Sequence, residues 1–135
     1  MAETIAAWMS TPVESIGLDA PLQAALDRLV ARGCRALPVL DDGRLVGILT
    51  ERDLRSALGG GADTDAALAR SVSTAMSAEV WSLPLGTPLS SACARLAEAQ
   101  VGAMPVLDGD GHLVGILSVT DLLRAAASRF QRDGD

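Results

Sequence analysis

The sequence predicts an α/β (α+β) protein made of two tandem β-α-β-β-α repeats. Three observations predict it. The chain duplicates itself, in order, along nearly its whole length. Each copy places apolar residues at helical spacing after a proline. Each copy then places two short apolar runs on either side of an Asp/Gly turn.

The duplication can be read directly. Met9-Ser10 returns as Met76-Ser77, and Pro21-Leu22 returns as Pro88-Leu89. Ala36-Leu37-Pro38-Val39-Leu40-Asp41 returns as Ala103-Met104-Pro105-Val106-Leu107-Asp108 at the same offset. One residue is inserted in the turn Gly109-Asp110-Gly111. Leu45-Val46-Gly47-Ile48-Leu49 then returns unchanged as Leu113-Val114-Gly115-Ile116-Leu117, and Asp53-Leu54 as Asp121-Leu122. The expected organisation is a first repeat over residues 1–58, a Gly-rich connector over 59–63, a second repeat over 64–130 and a polar tail over 131–135. Thr64 to Met76 has helical composition and leads into the second copy, as Glu3 to Met9 leads into the first.

Within each copy a short strand comes first, near Val13–Ile16 and Val80–Leu83. Pro21 and Pro88 stand where a helix can begin, because proline is tolerated in the first turn. Leu22, Ala25, Leu26, Leu29 and Val30 form the first apolar stripe. Leu89, Ala92, Cys93, Leu96 and Ala97 repeat it, and Gly33 suits a helix stop. The strands Ala36–Leu40 and Arg44–Leu49 follow, joined by hairpin chemistry, and a second helix starts at Glu51 and at Val119. A repeat of about 60 residues with few aromatics buries little surface by itself. The two copies are therefore expected to pack sheet against sheet with pseudo-twofold symmetry, around two equivalent clefts.

Composition narrows the function. The chain has 135 residues, 49% of them hydrophobic, with one Phe, two Trp and no Tyr, so its core must be aliphatic. A formal charge of -6 argues against nonspecific binding to nucleic acid or to an anionic membrane. Cys34 and Cys93 form no CxxC pair and no His cluster accompanies them, so neither a disulfide framework nor a metal site is expected. Both read as small buried apolar residues. No signal-peptide pattern opens the chain, and no uninterrupted apolar run reaches the roughly 20 residues of a membrane span. A cytoplasmic location is the expectation.

The segment Gly47-Ile48-Leu49-Thr50-Glu51-Arg52-Asp53 carries the candidate chemistry, and Gly115-Ile116-Leu117-Ser118-Val119-Thr120-Asp121 repeats it. Two readings fit. In one, Thr50 or Ser118 caps the helix and Asp53 or Asp121 reaches back, as in a capping box. In the other, the helix start attracts phosphate through exposed amides and its partial positive charge. Thr50, Ser118 and Thr120 would add hydroxyls, Arg52 a charge-assisted bond, and the Asp two oxygens suited to a ribose diol. One helix end can do both.

Gly-apolar-apolar-Thr/Ser-x-x-Asp after a Leu-Pro-Val strand resembles the signature of cystathionine beta-synthase (CBS) domains. Two such copies look like the tandem pair called a Bateman module, and the resemblance runs from about Met9 to Leu123. It implies a stand-alone CBS pair, non-catalytic, that senses an adenosine-containing nucleotide (AMP, ADP, ATP or S-adenosylmethionine) as regulatory ligand, without a cofactor. It assigns the ribose to Asp53 and Asp121, and the phosphate or ribose surroundings to Thr50, Ser118 and Thr120. Arg52 and Arg35 fall at positions that face phosphate in some members. Val13, Ile16, Val80 and Leu83 fall where the adenine slot is lined. By local sequence alone Arg35 also reads as a surface strand-entry residue, and the four apolar residues as ordinary core. The resemblance further implies a homodimer through an apolar face on the second helices, bearing Leu54, Leu58, Leu122, Leu123 and Ala126, and an effector protein that reads the ligand state. The rival reading is a structural dimerisation or adaptor module with empty clefts.

The copies differ where phosphate would sit. The first has Arg35 and Arg52, and the second has Gly102 and Thr120. The cleft around Arg35, Arg52 and Asp53 is expected to prefer the more highly phosphorylated ligand. Trp81 could stack on a purine, or cover core or a dimer surface. His112 reads as an exposed turn residue.

Overall fold

The computed structural model describes residues 3–11, 13–59 and 63–134. The expected order appears in each repeat. The first has β1 (Ile16–Gly17), α1 (Leu22–Arg32), β2 (Ala36–Asp41), β3 (Arg44–Thr50) and α2 (Glu51–Gly59). After a short α3 (Thr64–Leu68), the second has β4 (Leu83–Pro84), α4 (Leu89–Ala99), β5 (Ala103–Leu107), β6 (Leu113–Ser118) and α5 (Val119–Gly134). Each repeat forms a three-stranded sheet, ordered β1-β2-β3 and β4-β5-β6.

Turn chemistry sets the hairpins. Asp41 pairs with Arg44, leaving Asp42 and Gly43 as a two-residue loop with φ of 51° and 81°. Positive φ at both positions is the turn that matches strand twist, and Asp-Gly adopts it at low cost. The register shifts between Val39 and Leu40, and again between Val106 and Leu107. Val46 and Val114 are the extra residues of these two bulges, so the irregularity is part of the repeat.

Pro21 and Pro88 are extended residues at the N-cap positions of α1 and α4. Gly33 closes α1 in the left-handed conformation, as expected, and Gln100 does the same for α4. The buried stripe is narrower than the sequence pattern. Leu22, Ala25 and Leu29 face the core, whereas Val30 is 73% exposed. Ala92 and Leu96 are buried, and Ala97 and Cys93 are exposed. At 100° per residue these outliers have rotated off the core face. Cys93 is therefore not the buried residue expected, while Cys34 packs at the edge of the core with its thiol pKa raised by burial.

The first strands are shorter than expected. Pairing begins only at Ile16 with Val39 and at Leu83 with Val106, so Val13 and Val80 precede the ladder. At the other end, α5 runs on to Gly134, through all but the last of the residues expected as a polar tail, and Asp135 lies outside the described residues. Gln131, Arg132 and Asp133 include no proline or glycine that would break a helix before Gly134. Gly60, Gly61 and Ala62 of the expected connector lie outside the described residues.

The chain packs as two compact units that cut across the contiguous repeats. One unit is Glu14–Val80. The other joins the segment ending at Val13 to everything from Trp81 onward. In the first, Val72 is sealed among Ile16, Leu22, Leu37, Val39, Leu49 and Leu54. In the second, Ile5 is sealed among Leu83, Ala92, Leu96, Met104, Val106 and Leu117. Each lead-in segment thus plugs the core whose sheet belongs to the other copy of the sequence motif.

The same lead-ins close the sheets. Ser77 and Ile48 exchange backbone hydrogen bonds of 2.9 and 3.0 Å, and Ser10 and Ile116 exchange bonds of 2.9 and 3.2 Å. The approach is close enough to demand glycine opposite. A Cβ on Gly47 would lie 2.7 Å from both the Met76 sulfur and the Ser77 carbonyl. A Cβ on Gly115 would lie 2.6 Å from the Met9 sulfur but 3.2 Å from the Ser10 carbonyl. This explains why Met-Ser and Gly recur together. Gly47→Ala must displace backbone and should lower stability by about 1–3 kcal/mol. Gly115→Ala can be accommodated largely by rotating Met9 and should cost less. Urea denaturation midpoints of the two variants will test the order.

Candidate ligand site at the starts of the second helices

Each β3–α2 type of junction is tied three ways. The Thr50 amide donates to Asp53 Oδ2 at 2.9 Å, and the Asp53 amide donates to Thr50 Oγ1 at 3.1 Å. The Ser118 amide donates to Asp121 Oδ2 at 2.8 Å, and the Asp121 amide to Ser118 Oγ at 3.1 Å. These are reciprocal capping boxes. The third tie runs to the start of the preceding strand. The Glu51 amide donates to the Arg35 carbonyl at 2.8 Å, and the Val119 amide to the Gly102 carbonyl at 2.9 Å.

These ties revise the anion reading. The amides of Thr50, Glu51 and Asp53 already have partners within the protein, so they are not waiting for a phosphate. Side chains can add positive charge at this point. The tie from Glu51 to Arg35 brings Arg35 beside Arg52 at the start of α2. Both are exposed, and neither side chain has a hydrogen bond or ion pair among the described residues. Arg55 is occupied elsewhere, 2.9 Å from Glu51.

The two starts differ in a way that the motif conceals. Asp53 is half-buried, and its Oδ1 has no partner among the described residues. Asp121 is 2% exposed, the one buried charged residue described, and its Oδ1 accepts a hydrogen bond from Arg124. Gly102 and Thr120 stand where the first start has Arg35 and Arg52. Thr50 and Ser118 are half-buried, and Thr120 is exposed.

The proposed adenine-lining residues divide. Ile16 and Leu83 lie in the centres of their own units' cores. Val13 and Val80 are half-buried and belong to neither core. The expected apolar face of the second helices is also redistributed. Leu54 and Leu58 pack onto one core and Leu122 onto the other. The exposed face of α2 is therefore polar. On α5, Val119, Leu123, Ala126 and Phe130 form an exposed stripe, with Leu123 at 64% and Phe130 at 73%.

The structure also pairs residues that the sequence reading did not single out. Arg28 donates to the Ser15 carbonyl and Arg95 to the Ser82 carbonyl, so an arginine of α1 or α4 braces the entry to β1 or β4. Around this brace the copies diverge. Glu14 pairs with Arg32 at 2.5 Å, whereas Trp81 lies under the Arg95 guanidinium at 4.7 Å. Asp108, Asp110 and His112 gather on the exposed β5–β6 turn. Asp108 accepts the His112 and Asp110 amides there, chiefly the former, which holds its carboxyl below the usual range.

Comparison with known proteins agrees with this architecture. The CBS domain family model matches residues 3–60 and again 69–128. The chain belongs to the CBS domain family. A CBS domain-containing protein of Dictyostelium discoideum is 35% identical over 129 residues, covering 85% of each chain. The solved structure of CBSX2 in complex with AMP has a TM-score of 0.80 at 27% identity, over 93% of this chain and 97% of that one. The CBS domain pair of protein MJ0100, solved with 5'-methylthioadenosine and S-adenosyl-L-methionine, shares the fold with a TM-score of 0.84 at 21% identity, over 96% and 99% of the two chains. Inosine-5'-monophosphate dehydrogenase of Thermoplasma acidophilum is 31% identical over 111 residues, but the chain spans only 21% of its length. Among the described residues, no helix is long and apolar enough to cross a membrane.

Removing either cap hydroxyl, Thr50→Ala or Ser118→Ala, should cost about 1 kcal/mol. Asp121→Ala should cost more than Asp53→Ala, because it also strands Arg124 and empties a buried position. Chemical denaturation of the four variants will rank them.

Proposed function

We propose that this chain is a non-catalytic regulatory module that senses an adenosine-containing nucleotide at the starts of its second helices. The observation that carries the reading is the Asp53 carboxylate, one oxygen of which has no partner among the described residues, at a helix start that also carries Arg52 and, through its backbone tie, Arg35. A ribose diol can donate to that oxygen, and guanidinium forks suit the attached phosphates. The AMP complex of a 27% identical relative supports the ligand class. AMP, ADP, ATP and S-adenosylmethionine are the candidates, with the start of α2 favouring the more phosphorylated ones.

The module acts by conformation, in the cytoplasm, on an effector protein. A ligand shifts the arrangement only through its difference in affinity between two states. The working unit is a homodimer closed through the exposed stripe of α5, since an apolar patch on a small chain favours twofold closure. That same stripe favours the rival reading, a dimerisation or adaptor module that takes no ligand.

Thermal unfolding with each nucleotide separates the two. A ligand at a hundredfold excess over its Kd should stabilise by about 2.7 kcal/mol, a rise of several degrees in Tm. Asp53→Asn keeps a cap acceptor and should abolish the rise. No shift with any of the four ligands would favour the adaptor. Separately, Leu123→Glu with Phe130→Glu should convert the dimer to a monomer in light scattering.

A further inference from the structure

We infer that Arg124 is a built-in occupant of the Asp121 site, so that the chain binds one nucleotide, at the start of α2, rather than two. The inference rests on the nucleotide reading above and adds its stoichiometry and the residue that sets it.

Both helix starts carry the same capping box, and in both it takes up Oδ2 of the aspartate. The remaining oxygen decides what else the carboxylate can hold. Asp53 Oδ1 has no partner among the described residues, and the position matching Arg124 in the first repeat is Ser56, which is exposed and makes no bond to it. Asp121 Oδ1 accepts from the Arg124 guanidinium, one turn along α5. Arg55, two residues beyond Asp53 and so on another face of α2, pairs with Glu51 instead.

Burial sharpens the contrast. Asp121 is 2% exposed, whereas the Arg124 side chain is 62% exposed. A buried carboxylate needs a partner, and a solvated arginine can supply it while keeping most of its own hydration. Neither Gly102 nor Thr120 brings a second carboxylate that would draw the guanidinium away. A ribose diol approaching Asp121 must therefore displace a charge-assisted bond, whereas at Asp53 it meets a vacant oxygen. Displacing such a bond weakens binding by about 10- to 100-fold.

Calorimetric titration of the full chain with AMP tests this. The wild type should bind at one site, Asp53→Asn should remove it, and Asp121→Asn should leave its affinity within about twofold. Arg124→Ser, which copies the first repeat, should add a second site that Asp121→Asn in the same chain removes again. Arg124→Lys retains a cation and should stay at one site. A measurement without substitutions guards against a poorly folded Arg124→Ser: AMP should perturb the backbone NMR signals of Thr50, Arg52 and Asp53 and spare Ser118, Thr120 and Asp121. Two comparable sites in the wild type, or no second site in a folded Arg124→Ser, would overturn the role of Arg124 and leave nucleotide binding standing. Absence of binding by AMP, ADP, ATP and S-adenosylmethionine in the wild type would overturn both.

Discussion

At each strand-to-helix junction a backbone must leave a ladder and enter a helix without abandoning its amides. Thr50 with Asp53, and Ser118 with Asp121, solve this by exchanging hydrogen bonds across three residues. An unpaired amide in a half-buried place is costly, so the junction tolerates few residue types. The solution also fixes where each carboxylate points. One oxygen is locked into the cap, and the other is left for whatever the surroundings supply. The cap thus uses one half of each carboxylate and leaves the other half to its neighbours.

The junctions stand on sheets that the lead-in segments complete. Ser10 and Ser77 hydrogen-bond to the outer strands β6 and β3, where an open edge would otherwise invite pairing with another chain. Met9 and Met76 lie over Gly115 and Gly47, and Ile5 and Val72 fill the cores beneath. Each core therefore draws on a segment distant in sequence from most of its other members.

Duplication keeps the scaffold and frees the surroundings to diverge. The brace from Arg28 or Arg95, the bulge at Val46 or Val114 and the cap itself are the same in both copies. The residues around the caps are not. Arg35 and Arg52 make the start of α2 cationic, while Gly102, Thr120 and Arg124 make the start of α5 compact and internally neutralised. The same local geometry therefore leaves an unpaired carboxylate oxygen at the first start, among the described residues, and a paired one at the second.

The sequence by itself determined whatever is local or repeated. The order of elements, the Asp42-Gly43 turn, the helix starts at Glu51 and Val119 and the Thr/Ser-x-x-Asp caps were all legible, because turn φ angles, apolar spacing and capping depend on residues within a few positions of each other. Tertiary structure decided the rest. It turned Leu54, Leu58 and Leu122 inward, left Cys93 and Val30 outside, and sent Ile5 and Val72 into cores that no local pattern announces. It also gave Arg124 to Asp121 and left Asp53 without an equivalent. These outcomes depend on which surfaces meet across long stretches of chain, and periodicity carries no information about partners at that distance.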